Sequence, residues 1–276
     1  MIKRILVALD NSKFSHSVIE YSPFIAERQH AELTALAVID EKSIEHSIGP
    51  TGIGGSYYAE RVEKYLTEKS KEDLKKVLNN FAKKCDSLKI PHKEVLDVGN
   101  PAEIIFNYSI FFDLIITGLE THFNFEVTDK PGNTLDELLN HSITPVFAVP
   151  SKFKPFKKVL VGFDGSFSAA KAIKKFTHLA LAKDLEIKII IASKTSEEAT
   201  YLKDNLSVYL QSYGMHNFSF DTSVEDFKDA LESKYFNWAD VIVVGAHSKR
   251  GLLDFIVGST TKYIIQKGNR PVFIGL

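Results

Sequence analysis

Cysteine is almost absent from this sequence: Cys85 is the single one among 276 residues. Without a second thiol an internal disulfide is impossible, which fits a reducing compartment and not a stapled secreted fold. Net charge is lacking too, because 34 Lys and Arg offset 35 Asp and Glu to leave −1. A nucleic-acid surface normally declares itself as a basic patch with a high pI, so nucleic acid is not an expected partner. No apolar run reaches the ~20 residues that cross a bilayer. The stretch from Ile5 to Leu9 is too short for a signal peptide and ends on Asp10. A cytoplasmic location with no membrane partner is the expectation. Two phosphate-loop signatures are missing as well: no Gly-Lys-Ser/Thr closes a four-residue gap after a glycine, and no Gly-x-Gly-x-x-Gly occurs. Neither Cys85 nor the nine histidines show metal-ligand spacing. What the chain does have is 44% apolar residues over a length that suits one large domain or two ordinary ones.

The sequence repeats itself. Lys3-Arg4-Ile5-Leu6-Val7-Ala8-Leu9-Asp10-Asn11-Ser12 aligns with Lys157-Lys158-Val159-Leu160-Val161-Gly162-Phe163-Asp164-Gly165-Ser166, an offset of 154 that holds through the next strand. Asp113 to Gly118 matches Asp240 to Gly245 at an offset of 127, and Thr144 to Val149 matches Arg270 to Gly275 at 126. The second copy is therefore shorter by 28 residues, lost mainly between its second and fourth strands. Pro150-Ser151-Lys152-Phe153-Lys154-Pro155 reads as the linker, dividing the chain into units 1–150 and 151–276.

Short β-branched runs, Ile5–Leu9, Leu33–Ile39, Leu114–Thr117 and Val146–Val149, have the doubly apolar character of buried parallel strands. Helical periods lie between them at Ser15–Glu27, Ala59–Leu88, Pro101–Tyr108 and Thr134–His141. The Lys- and Glu-rich run from Arg61 to Lys76 reads as a solvated helix face. Alternating strands and helices predict an α/β fold: two tandem doubly wound, five-stranded parallel sheets. Ligands in such sheets sit beyond the carboxyl ends of the strands, where the strand order switches. The edge strands Pro145–Val149 and Pro271–Gly275 are placed to pair across the two units, since open edges invite aggregation. That makes an intrachain pseudo-dimer and leaves a homodimer open.

Each copy places a carboxylate and then a hydroxyl just after its first strand: Asp10 and Ser12, then Asp164 and Ser166. These residues suit helix capping, and equally suit accepting from a ribose hydroxyl or holding a cation beside phosphates. After the fourth strand of the second copy, Gly245 and Gly258 allow a ligand to approach the backbone, and Gly258-Ser259-Thr260 opens the last helix with its N–H groups outward. That is an anion site of the phosphate-binding kind. His247 beside it reads as a wall residue, and the glycine-rich segment from Gly49 to Ser56 as a connector without a phosphate-binding Lys. Trp238 is expected in packing.

At these residues the chain resembles the universal stress protein family in tandem form, a HUP/Rossmann-like fold. That family's nucleotide pattern is Gly, two residues, Gly, nine residues, Gly, then Ser or Thr. The second copy offers Gly245, Ser248 in place of the second glycine, then Gly258 and Ser259 after nine residues. The resemblance implies ATP, ADP or AMP as the ligand, with or without Mg2+, little or no turnover, and protein partners in a stress response. It further implies that Asp164 lies near the ribose, that Ala192 meets the adenine edge, and that Ser248, Ser259 and Thr260 join Gly245 and Gly258 around the phosphates. In the first copy the matching positions are Asp10, Val38, Gly118, Thr121, Gly132 and Asn133, with a ten-residue gap and acidic Glu120, Glu126 and Asp129. Carboxylates repel phosphates, so the nucleotide is expected in the second copy. The alternatives are a scaffold that binds no nucleotide, and a slow ATPase or phosphotransferase.

Overall fold

A computed structural model describes residues 2–48, 56–120, 134–179, 185–223, 227–246 and 258–276. The first half runs β1 (Arg4–Leu9), α1 (Ser15–Gln29), β2 (Glu32–Ile39), α2 (Glu41–Ile48), α3 (Ser56–Leu88), β3 (His92–Val98), α4 (Pro101–Ser109), β4 (Leu114–Gly118), α5 (Thr134–His141) and β5 (Val146–Val149). The second half runs β6 (Lys158–Phe163), α6 (Phe167–Leu179), β7 (Glu186–Ala192), α7 (Ser196–Ser212), β8 (Phe218–Ser223), α8 (Phe227–Ala230) with a π-helical continuation over Leu231–Tyr235, β9 (Val241–Gly245), α9 (Ser259–Lys267) and β10 (Val272–Gly275).

Ten strands form one sheet in the order β3-β2-β1-β4-β5-β10-β9-β6-β7-β8. Neighbours are parallel except β5 and β10, which meet antiparallel with Phe147 opposite Phe273. The expected pairing of the two edge strands is thus the seam of the molecule. Each half is doubly wound: the chain moves from β1 to β2 and β3, then returns to the other side of β1 for β4, and β6 is flanked by β7 and β9 in the same way. The switch points lie at the carboxyl ends of β1 and β6. The repeat carries a second structural signature. Asp113 Oδ2 accepts the amides of Lys3 and Arg4 at 2.8 and 3.0 Å, and Asp240 Oδ2 accepts those of Lys157 and Lys158 at 3.1 Å each.

Strand alternation sends Ile5, Val7 and Leu9 to one face of the sheet and Leu6 and Ala8 to the other, and each face builds an apolar layer that runs through both halves. In α3 the residues Leu74, Leu78, Phe81 and Cys85 form one buried stripe, each side chain worth ~1.5–3 kcal/mol of transfer free energy when large and apolar. The beginning of that helix leaves Tyr57, Tyr58 and Tyr65 exposed. Caps match local chemistry. Asn100 accepts from the Glu103 amide ahead of Pro101, and Thr195 accepts from the Glu198 amide. Trp238 is partly buried against the second layer, with the Lys188 ammonium 4.8 Å from its ring centre. The α2 helix and the π-helical turn are features the sequence reading did not contain. The connector at 49–55 lies outside the described residues. No helix among the described residues is long and apolar enough to cross a membrane.

Candidate functional site

In the second half, the predicted residues converge on one edge of the sheet. Asp164 follows the last residue of β6, Ala192 ends β7 and Gly245 ends β9, with β6 between the other two strands. Gly258 is tied to the same edge because its amide donates to the Ala246 carbonyl at 2.9 Å. The Thr261 hydroxyl donates to the Gly245 carbonyl at 2.9 Å, which fixes α9 to the end of β9. The loop that leaves β9 therefore returns to it, although its interior, 247–257 with His247, Ser248, Lys249 and Arg250, lies outside the described residues. Gly132 and Asn133 lie outside them as well.

Gly258 is the N-cap of α9 and supplies no side-chain cap. Ser259 is exposed and Thr260 partly buried, so the first turn of the helix offers N–H groups and hydroxyls to an anion, aided by the positive end of the helix dipole. Glycine at 245 is required by a close approach: a Cβ there would stand 2.5 Å from the Ser168 carbonyl carbon. α6 consequently packs directly over the end of β9, with its own N-terminus at the switch point.

The two carboxylates after the first strands differ sharply. Asp10 is buried, and its Oδ1 accepts the Ser12 amide at 3.1 Å, the Ser12 hydroxyl at 2.6 Å and the Ser15 hydroxyl at 2.8 Å. The Ser12 hydroxyl in turn accepts the Phe14 amide at 3.2 Å. Asp164 is exposed, and its Oδ1 accepts the Ser166 amide at 3.0 Å. The Ser166 hydroxyl turns instead to Ser168 Oγ at 3.2 Å and the Ala169 amide at 3.3 Å. Ala169 stands where the first half has Ser15, so the hydroxyl that seals Asp10 is missing. Val38 is buried at the end of β2, whereas its counterpart Ala192 is partly exposed. Gly118 is buried at the end of β4, and Glu120 stands one residue beyond its neighbour Leu119. Among the described residues, no group of three or more His, Cys, Asp or Glu is placed to hold a metal ion.

Sequence reasoning missed two participants of this edge: Ser15, whose seal on Asp10 depends on the geometry of the turn, and Phe227, which reaches Gly162 from α8. The difference between Ser15 and Ala169 was readable at the repeat offset; the contact made by Phe227 had no local signal.

The architecture defines a tandem, doubly wound α/β protein in which the carboxylate after the first strand is buried in the first half and exposed in the second. The pattern of the Universal stress protein family matches residues 1–150 and 237–274, and the chain belongs to that family. It is 23% identical to universal stress protein Slr1230 of Synechocystis sp. over 98% of this chain and 99% of that protein. Its fold is similar to that of a universal stress protein from Archaeoglobus fulgidus, with a TM-score of 0.70 at 21% identity, covering 99% of this chain and 97% of the other. The cytoplasmic domain of a prokaryotic cation chloride cotransporter shares the fold at 8% identity, with a TM-score of 0.57 over 100% of this chain and 96% of that one.

Proposed function

We propose that this universal stress protein is a reversible adenine-nucleotide-binding regulator, acting in the cytoplasm, with its site in the second half of the chain. The observation that carries this reading is the pairing of an α9 N-terminus whose N-cap, Gly258, has no capping side chain with an exposed Asp164 carboxylate at the same switch point. Gly245, Gly258, Ser259 and Thr260 would receive the phosphates of ATP, ADP or AMP, joined by Ser248. Asp164 would accept a ribose hydroxyl, and the Ala192 backbone would meet the base edge. With Asp164 given to the ribose, Mg2+ would be held by the phosphate oxygens themselves. The first-half set, Asp10, Val38, Gly118, Gly132 and Asn133, would contribute little, because the Asp10 oxygen facing the turn is already committed to two hydroxyls and an amide.

Hydrolysis would need a group that orients water at the terminal phosphate. Asp164 is assigned to the ribose, so the reading is a binding switch with little or no turnover that alters which surfaces are presented to protein partners in a stress response. The test is to denature purified protein and identify released small molecules by mass spectrometry, then to titrate ATP with Mg2+, for the wild type and Gly258→Asp. Asp at that position caps α9 while placing negative charge where phosphate would lie. About one nucleotide site per chain in wild type and none in the variant is the expected result. A wild-type protein that neither releases nor takes up nucleotide would leave an interaction scaffold in place of the switch.

A further inference from the structure

Gly162 lies inside β6, two residues before Asp164, and it is not among the glycines with positive φ. An aromatic ring, not the backbone, demands a glycine here. A Cβ built on Gly162 would stand 2.6 Å from Phe227 Cδ1 and 2.7 Å from both Cε1 and Cγ. Three contiguous ring atoms at nearly equal distance mean that the face of the ring rests on the strand.

The face is the one that matters. Val159, Val161 and Phe163 belong to one apolar layer and Leu160 to the other, so Gly162 lies on the Leu160 side. Its registered neighbour on β7 is Ile190, which lies on that same side. The next positions on this side toward the strand ends are Asp164 and Ala192, one two-residue step or about 6.6 Å further on. α8, the short helix that carries Phe227, packs against both β7, the strand that ends on Ala192, and α9, the helix that follows Gly258. The π-helical segment that follows is anchored by the Tyr235 hydroxyl, which donates to Asp221 Oδ2 at 2.6 Å. π-Helical turns are rare and cluster at functional sites. In the first half, Ala8 holds the position of Gly162, and the helix after β3 opens with Pro101 and Ala102, small and buried.

We propose that Phe227 is the specificity-determining residue of the second-half site: its ring occupies the base end, so the site receives the phosphate end of a ligand readily and admits a purine only when the ring swings aside. This rests on the nucleotide reading above. A site that is open for a fraction of the time shows an affinity reduced by that fraction, so the ring acts as a tax on purine binding alone. The probes are ATP and inorganic tripolyphosphate, titrated into wild type and Phe227→Ala, with Gly258→Asp assigning the signal to the second half. Removal of the ring is expected to tighten ATP binding at least tenfold and to leave tripolyphosphate binding unchanged. Wild-type ATP binding that stays equal or weakens in Phe227→Ala overturns the plug while keeping the nucleotide reading, weakening being the mark of a ring that stacks on the base. If neither ATP nor tripolyphosphate binds wild type or variant, the nucleotide reading falls and the plug with it. Should Phe227→Ala fail to fold by circular dichroism, Phe227→Leu, which keeps apolar volume but not a flat ring, decides by the same comparison.

Discussion

The Ser15 hydroxyl shares its proton between the Asp10 carbonyl at 2.6 Å and Asp10 Oδ1 at 2.8 Å, and at the matched position of the second half Ala169 has no hydroxyl to offer Asp164. Two hydroxyls, those of Ser12 and Ser15, hold Asp10, whereas Ser166 turns to Ser168 and Ala169 has none. Ala169→Ser is expected to bind Asp164 into the same kind of local network and to weaken ATP binding about tenfold, the scale of one hydrogen bond to a charged group. Isothermal titration calorimetry reads this directly, and an unchanged affinity would remove Asp164 from the ribose.

Asp240 joins the linker to the second sheet half through Lys154 Nζ at 2.8 Å and the amides of Lys157 and Lys158. Burial pushes its carboxyl up, but these hydrogen bonds outweigh burial and hold it below the usual carboxylate range. A lowered folded value contributes stability that is complete above the unfolded value of about 4 and disappears as pH falls through the folded one. Asp240→Ala should cost about 1–3 kcal/mol in urea unfolding at pH 7, and the gap to wild type should close as pH drops below about 4. A gap independent of pH would show that the carboxylate charge is irrelevant there.

Tyr21 clamps the linker onto α1. Its hydroxyl accepts the Lys154 amide and donates to the Lys154 carbonyl, both at 3.1 Å, while its ring packs edge-on against Phe153 at 4.7 Å. Burial raises the phenol above its ordinary value. Tyr21→Phe keeps the ring contact and removes both hydrogen bonds, at a cost of about 1 kcal/mol. Limited trypsin digestion should then cut faster after Lys152, the Lys154–Pro155 bond being resistant to trypsin; an equal rate would mean the aromatic contacts alone hold the linker.

Cys85 is buried in the α3 stripe, and desolvation pushes its thiol up to about 12. The thiolate is the reactive form, so a disulfide-exchange reagent should label native protein orders of magnitude more slowly than protein in guanidinium. Rapid labelling of the native form would show that α3 opens locally.

Much of the fold was legible because it rests on local periodicity and on repetition. The expected strand Val146–Val149 and helix Thr134–His141 have the same bounds in the structure, and Ser15 and Pro101 each begin the helix foreseen for them. The α2 helix was not legible, since Glu41–Ile48 carries a single buried residue, Ile44, and so no apolar stripe. The π-helical turn was hidden for a related reason: its extra residue shifts the helical period just where periodicity is being read.

By itself the sequence determined that the chain is a duplicated, doubly wound α/β protein with carboxylates and a glycine-bounded loop at its strand ends. Those properties are written in spacing along the chain, which folding does not alter. Only the tertiary structure decided that β5 and β10 meet antiparallel with Phe147 facing Phe273, that Asp10 is buried while Asp164 is exposed, and that Phe227 lies on Gly162. Each of these joins residues far apart in sequence or depends on a turn's three-dimensional path. Their energies come from burial and hydrogen-bond geometry that exist only once the layers have closed.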